Sequence, residues 1–347
     1  MKRISRRTFH QLSAAAGASL LSPLATQVHG ASKIARRPFG NKGFDVTMLG
    51  LGGGGRFFEI PKDDEAGAEI VRQAIERGVE FIETAANYGP KGDGDRSERR
   101  IGLAMKTHRR RVFLETKIDA RDYDGAMREM ERSLKLFHTD QIDLMLHHAF
   151  FSKKEVDRVL AADGAEKAIR KMIDQKAIRF RGFSCHSPEL ALDALGRIQP
   201  DAVQFTINAT RNPDFEAEVL PLCKSKGIAV MAMKTCGHGF FTKEALQPGF
   251  DSRRETDKDP GLHRFAPPAE VFQRPSVPTP DEFLRYALSL PLTVAVAGME
   301  SIATVESAVR TALAFKPLKP EEMASIHQRA QSLAGTGYWI PRTSQTA

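Results

Sequence analysis

Four residue types recur where chemistry is to be expected. Glu83 and Tyr88 stand five apart in Phe81-Ile82-Glu83-Thr84-Ala85-Ala86-Asn87-Tyr88-Gly89, where an apolar run gives way to a glycine-rich loop. Lys117 ends the run Phe113-Leu114-Glu115-Thr116-Lys117, and His147-His148 ends the next, Asp143-Leu144-Met145-Leu146. A carboxylate, a phenol, an ammonium and an imidazole together can protonate a carbonyl oxygen. A phenol titrates near pH 10 unaided, and a neighbouring ammonium lowers that value by favouring the phenolate. The carboxylate keeps the lysine charged and aimed, and the imidazole holds the substrate oxygen or assists proton donation. With a hydride from a nicotinamide, the chemistry is carbonyl reduction.

The elements that must position these groups follow a regular rhythm. Apolar runs read as strands at 46–53, 81–87, 112–118, 141–148, 178–185, 202–208, 228–234 and 293–298. Amphipathic stretches between and after them read as helices at 63–77, 97–107, 123–137, 154–175 (broken near Asp163-Gly164), 188–198, 215–226, 280–289 and 302–314, with a further helix at 321–333. Eight strand–helix alternations predict a parallel sheet closed on itself, a single-domain (β/α)8 TIM barrel. An open doubly wound sheet would need a glycine fingerprint leading at once into a helix. Gly52-Gly53-Gly54-Gly55 lacks that helix. In a barrel, strand C-termini form the active face, and Glu83, Tyr88, Lys117 and His148 all fall there. Strand alternation puts His148 on the face of Leu144 and Leu146, and gives His147 a structural place. It also aims Glu115 inward, with Arg181 as its expected cationic partner.

The resemblance is to the aldo/keto reductase family. It is carried by Arg37-Pro38-Phe39-Gly40-Asn41-Lys42-Gly43 through Leu49-Gly50-Leu51-Gly52, by Glu83-Thr84-Ala85 with Tyr88-Gly89, and by Ser97-Glu98 with Ile101-Gly102. Thr116-Lys117, Asp143-Leu144 with His148, Gly182-Phe183-Ser184, Gln204 with Asn208, and Ala297-Gly298-Met299 continue it. Together these span about residues 36–315, in order. The resemblance implies a barrel using NADPH, less often NADH, without a metal, acting on a small-molecule carbonyl substrate. It implies a catalytic tetrad of Glu83, Tyr88, Lys117 and His148. It implies a cofactor surface at Ser184, Gln204, Met233, Lys234, Gly298 and Glu306. Several positions depart from the pattern. Glu83 replaces aspartate, Cys185 replaces an asparagine, and Met233 replaces a tyrosine that stacks on the nicotinamide. Thr304-Val305-Glu306-Ser307-Ala308 lacks the usual grips on the 2′-phosphate and adenine. These departures motivate the alternative, a regulatory or binding barrel that keeps cofactor but turns over slowly. A hydrolase using Glu83 as base leaves Lys117 and Gly182-Phe183-Ser184 without a role.

The remaining features bound the class. The chain has 347 residues and is 41% apolar, enough for a large core. Its net charge of +8 falls to +4 without residues 1–31, which carry four basic residues and no acids. No basic stripe with interleaved aromatics marks a nucleic-acid surface. Cys185, Cys223 and Cys236 are too widely spaced for a zinc motif or an iron–sulfur cluster. Ser5-Arg6-Arg7-Thr8-Phe9, a short apolar run and small residues near Gly30-Ala31 predict a twin-arginine export signal over 1–31, the export machinery as partner and a periplasmic location. That run is too short for a stable membrane span. The stretch 237–279, rich in proline and phenylalanine, is expected to be a long lid-like loop after strand seven. Tyr338-Trp339 is read either as closing over the substrate or as covering the barrel.

Overall fold

Phe39 and Phe44 sit in the turn between the first two described strands. The strands β1 (Arg36–Pro38) and β2 (Asp45–Thr47) pair antiparallel. The two rings they present stack against each other and against Phe113 and Phe180, with centroids 4.8–5.9 Å apart. This aromatic plug closes one end of the barrel. The run read as one strand over 46–53 is therefore two elements, because the chain leaves the hairpin at Thr47 and enters the barrel at Leu49. The Thr47 hydroxyl donates to the Leu49 carbonyl at 3.0 Å across that corner.

The computed structural model describes residues 33–59, 61–90, 92–209, 215–235 and 277–331. The signal read at 1–31, Cys236, most of the loop at 237–279, and Tyr338-Trp339 lie outside the described residues. Among the described residues, eight parallel strands close into a barrel: β3 (Leu49–Gly52), β4 (Phe81–Glu83), β5 (Phe113–Ile118), β6 (Ile142–Phe150), β7 (Ile178–Cys185), β8 (Ala202–Thr206), β9 (Ala229–Met233) and β10 (Val294–Gly298). The ring order is β10-β3-β4-β5-β6-β7-β8-β9, so the expected closed barrel is the fold.

The helices fill the outer layer. They are α1 (Arg56–Glu59), α2 (Asp64–Glu76), α3 (Arg96–His108), α4 (Tyr123–Leu136), α5 (Lys153–Leu160) and α6 (Ala165–Asp174), then α7 (Pro188–Ile198), α8 (Leu220–Ser225, after a π turn at Phe215–Val219), α9 (Pro280–Ser289), α10 (Ile302–Leu313) and α11 (Pro320–Ala330). Side-chain caps fix several starts. Asp63, Asp122, Ser152, Ser187, Thr279 and Ser301 each accept from a backbone N–H in the first turn. The expected helix break at Asp163-Gly164 falls between α5 and α6. None of the helices described is long and apolar enough to cross a membrane.

Strand alternation sorts side chains into two cores. Outward residues such as Leu51, Ile82, Leu114, Met145, Phe183 and Phe205 pack under the helices. Inward residues Phe81, Phe113, Leu144, Leu146, Ala202, Met231, Val294 and Val296 fill the barrel. Above them, toward the strand C-termini, the inward positions become polar: Glu83, Glu115, Lys117, His148, Ser184 and Gln204. That change of lining locates the site.

Candidate active site

Glu83 is the last residue of β4, and the chain beyond it is held to its neighbours by backbone hydrogen bonds. Thr84 N–H donates to the Glu115 carbonyl and Ala86 N–H to the Lys117 carbonyl, both at 3.0 Å. Ser97 N–H then donates to the Tyr88 carbonyl at 2.9 Å, fixing Tyr88 to the start of α3. The Ser97 hydroxyl is 2.8 Å from both the Thr84 hydroxyl and the Gly53 carbonyl. Beside it, the buried Glu98 carboxyl accepts from Thr116 at 2.7 Å and from Ser133 at 2.8 Å. Burial pushes Glu98 up to about 7, against the lowering by those hydroxyls. The Ser97-Glu98 pair thus anchors the tyrosine-bearing loop to β3, β5 and α4.

Lys117 is fully buried on the inner face of β5. Its ammonium makes an ion pair with Glu83 and donates to the Thr84 carbonyl at 2.8 Å. It lies 5.1 Å from the centroid of the Tyr88 ring. That ring meets His148 edge-on, with centroids 5.5 Å apart at 75°. The four residues singled out from the sequence are therefore neighbours at the C-terminal mouth of the barrel. Glycines make room for them. A Cβ on Gly54 would come within 3.0 Å of the Tyr88 ring, and one on Gly52 within 3.5 Å of the Glu83 carboxylate.

Glu115 does point inward, as expected, but Arg181 is not its partner. Arg181 lies on the outer face of β7, 2.7 Å from Glu166 of α6. Glu166 also meets outward-facing His147 at 3.1 Å. Burial lowers the His147 pKa, outweighing the raising by Glu166. Glu115 instead lies 3.7 Å from the Lys117 ammonium, and its oxygens have no hydrogen-bond partner among the described residues. Burial pushes Glu115 up to about 8, with Lys117 opposing and Glu83 reinforcing the rise. The folded chain is then the better proton binder between about pH 4.5 and 8, and stability falls as pH rises through that window. Glu115→Gln keeps the shape and removes the ionisation. The variant is expected to gain on the wild type progressively from pH 5 to pH 8 (a window set by that shift), read as thermal midpoints. A difference that does not grow with pH refutes this account.

The cofactor positions from the sequence divide into two groups. Ser184 and Gln204 are register partners on β7 and β8, and Gln204 in turn pairs with Met231 of β9. Met233 ends β9 on the same face, buried. Lys234 follows in the left-handed region, φ 57°, its carbonyl accepting from Asn208 at 2.8 Å. Gly298 ends β10 beside Gly52, and a Cβ there would meet no described atom within 4 Å. Gln204 is fully buried, yet neither its oxygen nor its nitrogen has a hydrogen-bond partner among the described residues. A buried amide with both ends open suits another amide as ligand. The Ser184 hydroxyl already accepts from Ala149 N–H at 2.7 Å but retains a proton to donate. Glu306 stands apart: from α10 it pairs with Arg77, after α2, at 2.8 Å. Cys185 faces the outer core and Cys223 is buried, its thiol pushed up to about 12 by burial.

Residues 48–330 match the aldo/keto reductase family. The chain belongs to the aldo/keto reductase family. A probable aldo-keto reductase from Glycine max is 26% identical over 216 residues, 58% of this chain and 59% of that protein. The chain thus spans about three-fifths of that relative's length. An aldo-keto reductase from Bacillus halodurans in its holo form superposes with a TM-score of 0.68 at 22% identity, over 86% of this chain and 97% of that one. One from Klebsiella pneumoniae, in complex with NADP and acetate, gives 0.58 at 21% identity, over 83% and 92%. At these identities the structures speak for the reductase barrel alone. Within it, Asp119 and Arg121 were not signalled by the sequence, because they lie past the end of β5, where alternation no longer assigns a face. Asp119 sits 2.8 Å from His148 Nδ1, and the Arg121 guanidinium donates to the His148 carbonyl.

Proposed function

We propose that this member of the family reduces aldehyde or ketone groups of small molecules with NADPH in preference to NADH, Tyr88 supplying the proton. One observation carries the reading: Tyr88 lies between the buried Lys117 ammonium and His148 at the barrel mouth. The complexes of the Klebsiella reductase with NADP and NADPH support the choice of nucleotide. The unpaired Gln204 amide and the Ser184 hydroxyl would hold the nicotinamide carboxamide. Met233 would pack against the ring, and Lys234 and Gly298 would line the path of the rest, with Glu306, paired with Arg77, as a further proposed contact. The nicotinamide supplies a hydride when bound.

In this reading the chain's own groups manage charge and protons. A carbonyl oxygen accepts from the Tyr88 hydroxyl and from His148. As the oxygen gains negative charge, Tyr88 transfers its proton, and the Lys117 ammonium stabilises the phenolate left behind. Glu83 holds the ammonium. The test is NADPH turnover with a panel of aldehydes, wild type against Tyr88→Phe. Equal rates in the two proteins would overturn the assignment.

The chain is proposed to be exported to the periplasm through the twin-arginine route, on the strength of Arg6-Arg7 and the apolar run after them. That route carries folded proteins, which suits one that loads a nucleotide before export. Fractionation of cells expressing the full chain should find it in the periplasm. Replacing Arg6 and Arg7 by lysine should retain it in the cytoplasm, and unchanged partition would refute the address.

A further inference from the structure

The loop from β5 to α4 holds His148 at two points. The Asp119 carboxylate meets Nδ1 at 2.8 Å, and Arg121 donates to the His148 carbonyl and, at 3.3 Å, to that of Ala149. Ala149 itself is left-handed, φ 38°, and its N–H donates to the Ser184 hydroxyl. Ring and backbone are both fixed. The charged and titratable groups around the imidazole come from several elements. Asp119 and Arg121 come from the loop after β5, Tyr88 from the loop after β4, and Lys117 from β5, behind Tyr88. Glu155 of α5 lies 3.5 Å from Arg121. His147 is turned away, toward Glu166.

An ionised carboxylate only accepts hydrogen bonds. With Asp119 at Nδ1, the ring hydrogen belongs on Nδ1, and a neutral imidazole is left with a bare Nε2. A bare nitrogen accepts; it cannot donate to a carbonyl oxygen. We propose that Asp119 is a positioning residue that sets the tautomer of His148. His148 then donates to a substrate carbonyl only as the imidazolium, and when neutral accepts from a substrate hydroxyl. This rests on the proposed place of His148 at the substrate oxygen. It makes the imidazole, as well as the phenol, a gate on the pH range of reduction. The proton transferred is still that of Tyr88, and the imidazolium gives a hydrogen bond without losing its proton.

Asp119→Asn separates tautomer from geometry. The amide is the size of the carboxyl, but its nitrogen can donate to Nδ1, which moves the ring hydrogen to Nε2. Long-range proton–nitrogen correlation spectra of the full chain read the tautomer directly, with the His148 signals identified by their loss in His148→Gln. The wild type is expected to show Nδ1–H and Asp119→Asn to show Nε2–H. In kinetics, the alkaline limb of kcat/KM for reduction is expected to move up by about one pH unit or more in Asp119→Asn. Asp119→Glu, still an acceptor, should restore the wild-type tautomer and limb. The same tautomer in wild type and Asp119→Asn, or an unmoved limb, overturns the proposal. Tyr88→Phe distinguishes the two levels. Turnover lost there with an unchanged His148 tautomer in Asp119→Asn sinks this inference alone. Turnover retained there sinks the proposed function, while the spectra still decide the control by Asp119.

Discussion

Tyr88→Phe is expected to lower kcat for carbonyl reduction by about 10²- to 10⁴-fold, the range general acids contribute. It should leave cofactor affinity and the thermal midpoint near those of the wild type. The substitution removes one oxygen and keeps the ring. That ring makes the packing contacts: Phe58 with centroids 6.4 Å apart, His148 edge-on, and the Lys117 ammonium over its face. Gly54 approaches the ring and not the hydroxyl alone. Structural loss is therefore small, and the effect should fall on the chemical step. In free-energy terms the expected loss is about 3–5 kcal/mol of transition-state stabilisation. Rapid-mixing measurements of hydride transfer, with NADPH binding measured separately, make the division visible. A variant that binds cofactor and still transfers hydride at the wild-type rate would show that another group supplies the proton.

Much of this site was legible because parity along a strand is strict. Once Leu144 and Leu146 are placed in the barrel, His148 must follow them, and Lys117 must follow Phe113 and Glu115. The same parity disposes of Arg181. Ser184 and Gly182 share the inner face, so Arg181, one residue before Gly182, must point out, and the expected Glu115–Arg181 pair was at odds with the rule that located both residues. The hairpin was hidden for another reason. Val46 through Gly53 is a continuous apolar run with no Gly or Pro at Thr47-Met48 to mark the corner. Only the demand that Phe39 and Phe44 cover the end of the barrel divides it, and that demand is a tertiary one. Asp119 lay beyond reach because loops carry no period. Glu306 shows a last limit. Its ion pair with Arg77 joins two parts of the chain far apart in sequence, and no spacing announces it.

Lys117→Met is expected to do two kinds of damage that can be measured apart. The ammonium is fully buried between two carboxylates, Glu83 and Glu115, which are register partners on adjacent strands. Removing one partner of a buried ion pair typically costs about 3–5 kcal/mol, because the remaining charge loses its compensation. Here Glu83 and Glu115 would face each other without a cation, and Glu115, which burial already pushes up to about 8, would hold its proton more firmly still. The loss of stability should accordingly shrink as pH is lowered, since protonation removes the repulsion. Adding Glu83→Gln to Lys117→Met takes away that charge. The double variant is expected to recover much of the lost stability, as replacement of whole buried ion pairs by neutral groups often does, and the two changes should be strongly non-additive. Turnover should behave differently. No ammonium then stabilises the Tyr88 phenolate, so reduction should stay depressed by about 10²-fold or more in single and double variant alike. Arginine at 117 should not restore it, because a planar guanidinium cannot occupy the closed space of a compact ammonium. Stability recovered without activity assigns Lys117 its electrostatic role toward Tyr88. Stability and activity recovered together would reduce the lysine to a counter-ion for Glu83.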